Sequence, residues 1–121
     1  MKYSELTLHY FQTAPATGVL AGPDVYRGAA GDRAQGTWVQ FDLRVSGDII
    51  HAARFLAFAC PHTIAAAAWV AEHAGGPLSR AALPGRVQEL SERFAVPPEK
   101  RGRLLIIEDA WVAAATSALQ R

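Results

Sequence analysis

Apolar and polar residues alternate from Thr37 to Val45. Val39, Phe41, Leu43 and Val45 fall on one face and Trp38, Gln40, Asp42 and Arg44 on the other. The period of two predicts a strand with one buried and one wet face. Ser46-Gly47-Asp48 carries turn chemistry, and Ile49 to Phe58 reads as a second strand, so the two are predicted to form a hairpin. Elsewhere the period is helical. Ser4 ahead of Glu5 and Thr7 reads as the N-cap of a first helix, along which Leu6 and Tyr10 recur. Cys60-Pro61 opens a second helix, since proline suits a first turn that needs no backbone donor. Ile64 to Val70 continues it, and Gly75-Gly76 stops it. Val87, Leu90 and Phe94 predict a short amphipathic helix after Pro84. Pro98 starts the last helix, on which Leu104, Ile107, Trp111, Ala114 and Ala118 form one apolar stripe. The segment from Pro15 to Gly36 is rich in Gly, Ala and Pro and has no period. It reads as a long ordered loop with at most a short strand, and such loops often carry function. This order of elements predicts an α+β fold with an antiparallel sheet, and nothing marks a boundary within residues 1–121.

Composition narrows the function classes. A chain of 121 residues, half of them apolar, fits one domain with a core of its own. A net charge of +1 without a basic stripe argues against a nucleic-acid surface. No apolar run is long enough to span a bilayer, and Met1-Lys2-Tyr3-Ser4-Glu5 lacks the apolar region of a signal peptide, so a cytoplasmic location is expected. The single cysteine, Cys60, excludes an intramolecular disulfide and any site built from several thiolates of one chain.

Cys60 carries two readings. At a helix start, free N–H groups and the helix dipole favour a thiolate. A free cysteine also serves as a small buried apolar residue. His62 makes a Cys-x-His pair with it, or is a polar residue of the first helical turn facing water. His9, His51 and His73 share no ligand spacing, and the surface is the expected place for His51 and His73. Gly28-Ala29-Ala30-Gly31 follows no clear strand and precedes no helix, which removes a nucleotide fingerprint. With no acid–base or nucleophile–base pair in view, an enzyme is not expected.

Several short pieces, in order and at near-gapless spacing, resemble the NifU/IscU-type iron–sulfur scaffold family. They are Tyr3-Ser4-Glu5, Tyr10-Phe11, Gly18-x-Leu20, Ala53-Arg54-Phe55, Phe58-x-Cys60, Ile64-Ala65, Val96-Pro97-Pro98-Glu99-Lys100 and Glu108-Asp109-Ala110. The resemblance covers nearly the whole chain and implies a small three-stranded antiparallel sheet packed against several helices. It also implies a role in iron–sulfur cluster assembly, with a cluster or iron as cofactor and a cysteine desulfurase and a DnaK-class chaperone as partners.

In that family three cysteines, an aspartate and a histidine form the site, because soft anionic thiolates suit iron. Carried over by motif, the first cysteine falls at Gln35, the aspartate at Thr37, the second cysteine at Cys60, the histidine at Gly102 and the third cysteine at Arg103. One ligand-type residue of five survives, so a stable cluster on this chain alone is not expected. Arg103 would face Cys60, its guanidinium standing where a metal cation would otherwise balance the thiolate; alternatively it is a solvated arginine of the Lys100-Arg101-Gly102-Arg103 cluster. Val96 to Lys100 resembles the segment that the family presents to the chaperone, with Glu99 in place of valine. Pro97-Pro98 is expected to hold it extended, the form a chaperone groove takes; the plain reading is a loop ending in a proline-started helix. Two functions remain open: a scaffold-like accessory of cluster assembly that uses Cys60 alone or in a homo-oligomer, and a metal-free interaction or regulatory module that keeps the family's partner surfaces.

Overall fold

The hairpin forms where the alternation places it. In the computed structural model, which describes residues 3–78 and 87–121, β2 (Thr37–Ser46) pairs antiparallel with β3 (Ile49–Phe58). The two-residue turn between them holds Gly47 at φ 58° and Asp48 at φ 60°. Positive φ at both positions matches the right-handed twist of the flanking strands, and glycine and aspartate tolerate it best. The sheet order is β1-β2-β3-β4, antiparallel throughout, with β1 at Val25–Asp32 and a two-residue β4 at Gly76–Pro77 beside Ile49-Ile50. The antiparallel sheet that the resemblance implies is present with four strands in place of three, the short fourth closing one end of the β3 edge.

The helices cover one face. They are α1 (Glu5–Thr13), α2 (Pro61–Glu72), α3 (Val87–Arg93) and α4 (Gly102–Leu119). Ser4 caps α1 as its sequence position predicts, its hydroxyl oxygen accepting from the Thr7 N–H at 3.1 Å. The α4 stripe of Leu104, Ile107, Trp111, Ala114 and Ala118 is buried, with Trp111 edge-on to Phe41 at 5.8 Å between ring centres. Pro98 begins a 3-10 turn, Pro98–Lys100, and α4 starts only at Gly102. Pro84 lies outside the described residues. No described helix is long and apolar enough to cross a membrane.

Two expectations need correction. The segment read as a loop contains the eight-residue strand β1. Its sequence, Val25-Tyr26-Arg27-Gly28-Ala29-Ala30-Gly31-Asp32, lacks an alternating apolar face because α4 lies directly on it. A Cβ at Gly28 would stand 2.0 Å from the Ala114 nitrogen, so the strand must be small where a strand is usually bulky. Tertiary contact here overrides low strand propensity.

The second correction concerns the wet face of β2. Asp42 is 1% exposed. After its bridge to Phe55 at the β3 edge, the chain from Thr17 crosses the sheet to reach β1 at the opposite edge. On the way the Leu20 N–H donates to Asp42 Oδ2 at 2.9 Å. Arg27, directly opposite Asp42 in the β1–β2 ladder, adds a two-pronged ion pair at 2.7 and 2.9 Å. Burial alone would raise the Asp42 pKa, but the Arg27 hydrogen bonds, the Leu20 N–H and the Arg27 charge together hold it below the usual carboxylate value.

A carboxyl whose folded pKa is depressed stabilises the fold above its unfolded pKa of about 3.9 and loses that contribution as pH falls through the folded value. Asp42→Asn is therefore expected to cost about 2 to 4 kcal/mol at pH 7 and to flatten the loss of stability below pH ~4. Urea unfolding midpoints across pH check this, and equal midpoints for both proteins at pH 7 would remove the clamp from the account.

Candidate functional site

The register sets where the carried-over positions meet. Trp38 pairs with Phe58, so β2 begins at the end of the sheet where β3 finishes and delivers Cys60. Cys60 is the N-cap of α2, with φ −73° and ψ 164°, and Pro61 follows at the first helical position. Across the site, α4 begins with Gly102 and Arg103. The structure brings the Arg103 guanidinium near enough to the Cys60 sulfur for it to favour the thiolate. Gln35 is exposed on the 3-10 turn Arg33–Gln35, and Thr37 is buried at the start of β2. Gly102 is exposed, with open space where a side chain would go.

Cys60 is half-buried. Its Sγ lies 3.5 Å from the Thr63 hydroxyl. Burial pushes the thiol pKa up, but the Thr63 hydroxyl, the Thr63 N–H, and the hydrogen bond and charge of Arg103 bring it below the ordinary thiol value. The sulfur does not close a full capping hydrogen bond on α2. Thr63 was not singled out from sequence. Its signal was available: Cys60 and Thr63 stand at N-cap and N3, the spacing of a capping pair.

His62 does not face water as the first-turn reading expects. It is 1% exposed and lies tilted against the Tyr3 ring, with 4.6 Å between ring centres. Its Nδ1 has no hydrogen-bond partner among the described residues. Burial, then the Lys100 and Arg103 charges, hold its pKa below the usual imidazole value. His9, His51 and His73 are exposed. Among the described residues no group of three or more His, Cys, Asp or Glu stands close enough to hold a metal ion.

The segment Val96 to Lys100 is only partly extended. Pro97 has extended geometry at φ −58° and ψ 146°, but Pro98–Lys100 is a 3-10 turn. Val96 is buried, and its N–H donates to the Ser91 carbonyl, closing the end of α3. Proline fixes φ alone, so the ring of Pro98 fits the first position of a turn as well as an extended strand. Glu99 is exposed.

A thiol stabilised as thiolate in this way is expected to alkylate with a pH midpoint below the free-thiol value of about 8.5. Arg103→Ala and Thr63→Val should each move the midpoint upward. Iodoacetamide rates against pH check this. A thiol that reacts only after denaturation, or a midpoint indifferent to both substitutions, would contradict the pairing.

Comparison with known proteins follows the same lines. The family model described as NifU-like N terminal domain matches residues 2–120. Among curated proteins, the chain is 31% identical over 75 residues to the iron–sulfur cluster assembly protein IscU of Plasmodium falciparum, covering 62% of this chain and 46% of that one. The match thus spans about half the length of that relative. Among solved structures, a nitrogen-fixing NifU-like protein (N-terminal) from Brucella abortus superposes with a TM-score of 0.75 at 16% identity, covering 98% of this chain and 94% of the other. A candidate iron–sulfur cluster assembly scaffold protein for the SUF system from Fervidobacterium islandicum AW-1 gives 0.68 at 15% identity, covering 96% of each. At these identities the structural likeness is one of fold, and the family assignment rests on the match along almost the entire sequence: this chain belongs to the NifU-like N terminal domain family.

Proposed function

We propose that this chain, acting as a single domain over residues 1–121, is a non-enzymatic, scaffold-like accessory of iron–sulfur cluster assembly that does not hold a stable cluster by itself. Family membership supports the first half of the reading. What supports the second is the single cysteine, Cys60, with the Arg103 guanidinium near it on the position where the family resemblance puts a thiolate. A two-iron cluster takes four donors, usually thiolates. Cys60 offers one, Gln35 and Thr37 offer neutral oxygens, Gly102 has no side chain, and Arg103 has no lone pair for a metal. A cation fixed beside the sulfur also opposes a second cation there. The donor set therefore does not fit the cluster, which in this reading is cargo completed by donors from elsewhere, either a second copy of the chain or another protein.

The same contact favours the runner-up, a metal-free interaction module, since a guanidinium balances the thiolate without any metal. Both readings keep a cysteine desulfurase and a DnaK-class chaperone as the expected partners. For the chaperone, the buried Val96 side chain means that residues Val96, Pro97, Pro98, Glu99 and Lys100 need local opening before a groove can take them. Glu99 adds a charge where an apolar side chain binds better.

The donor argument is testable by restoration. The variant carrying Gln35→Cys, Thr37→Asp, Gly102→His and Arg103→Cys is expected to bind zinc or iron near one equivalent, where the parent chain binds little. The open space at Gly102 admits the imidazole. Metal analysis after dialysis checks it, with circular dichroism to establish folding. A folded variant that binds no more metal than the parent would sink the positional transfer. For the chaperone, a peptide spanning Val96 to Lys100 with Glu99→Val should bind a DnaK-class protein several-fold more tightly than the native peptide. Equal affinity by fluorescence anisotropy would take this position out of the groove.

A further inference from the structure

The β3 edge facing away from β2 is closed piecemeal. β4 covers it at Ile49-Ile50, and the loop covers it at Phe55, whose N–H donates to the Ala16 carbonyl and whose carbonyl accepts from the Gly18 N–H, both at 2.9 Å. Strand alternation then turns the N–H and C=O of Ala53 and Ala57 to the same outer edge. No described residue pairs with either backbone at Ala57. At Ala53 the carbonyl accepts from Arg54 Nη1 at 2.7 Å, and His51 and Glu72 border the same stretch. The gap at Ala57 opens into a different environment, a groove of about 470 Å³.

This groove wraps around the edge. Phe11 from α1 and Ile64 from α2 line its helix side, and Leu56, Phe58 and Trp38 line its outer side. Phe58 is 54% exposed and Phe11 39%. Among the described residues the one charged side chain lining it is Arg33, whose guanidinium stacks 4.5 Å over the Trp38 ring. An unpaired donor and acceptor on a half-buried strand edge, flanked by apolar walls on both faces, is what an added strand takes: its backbone bonds to the edge and its alternate side chains go to the two walls.

We infer that the Ala57 edge is a docking site for a short extended segment of a partner protein, one that alternates bulky apolar with acidic side chains. Backbone pairing at Ala57 fixes the extended form. The walls of Phe11 and Ile64 select the apolar side chain, and Arg33 selects the acidic one. A second copy of this chain is disfavoured, because pairing two such edges would bring two Arg33 cations to one seam. The site is independent of any metal. Since β3 runs from Ala57 directly into Cys60, a docked segment would lie beside the thiol.

The test uses the full chain and a synthetic capped heptapeptide of alternating Glu and Phe or Ile. Titration by ¹H–¹⁵N NMR is expected to shift and protect the Ala57 amide and to perturb Phe11, Ile64 and Phe58. Ala57→Pro removes the edge donor, which takes no part in the fold's own ladder, and should weaken binding roughly tenfold or more. Methylating the central amide of the peptide should do the same without touching the protein, so the idea stays testable if Ala57→Pro misfolds. Arg33→Glu should reverse the preference from the Glu peptide to a Lys counterpart. Full-strength binding by the methylated peptide, shifts confined to other surfaces, or no binding would overturn the proposal. So would sedimentation showing a dimer that Ala57→Pro dissociates, which would assign the edge to self-pairing.

Discussion

The structure depends on how closely α4 can lie on β1. With glycine at position 28, the α4 backbone at Ala113 and Ala114 comes down on the strand with no side chain between them. That approach seats Trp111 against Phe41 and fixes the direction of the whole helix. The helix also touches α2, and the Arg103 in its first turn lies near enough to Cys60 to favour the thiolate. A side chain at Gly28 would lever α4 outward and separate the two helix starts before it disturbed the hairpin.

The opposite face of the sheet is held by charge in place of small residues. Asp42 gathers three donors, one from Leu20 in the crossing loop and two from Arg27. A buried carboxylate is costly unless its oxygens are satisfied, and here satisfying them ties the loop to the central strand. The loop in turn closes the β3 edge at Phe55 and stops short of Ala57. The same path thus stabilises the fold and leaves the gap read above as a docking edge.

The elements with a strong period were legible in the sequence. The hairpin, the Ser4 cap, the Cys60-Pro61 helix start and the α4 stripe follow from alternation, capping chemistry and helical spacing. What escaped was determined by contacts between distant segments. β1 has no period because its neighbour is a helix backbone, and Asp42 looked like a wet-face residue because its partners lie far along the chain at Leu20 and Arg27. At the site, the closeness of Cys60 and Arg103 was reached only through family resemblance, since nothing local links two helix starts so far apart. Thr63 was within reach of capping logic, whereas the burial of His62 under Tyr3 required the placement of the N-terminal segment. The chaperone-like segment shows the limit of proline reasoning: Pro97 is extended, but Pro98 opens a turn and Val96 joins the core.

The proposal that this chain alone carries no cluster rests on its single cysteine and on Arg103 near Cys60 where the family resemblance puts a thiolate. The most direct measurement is the visible absorption spectrum of the protein isolated without oxygen, together with its iron and acid-labile sulfide content. The account predicts a colourless protein with iron and sulfide far below one per chain. A brown protein with stoichiometric iron and sulfide would contradict it and would mean that this chain finds its cluster donors at positions other than those assigned here.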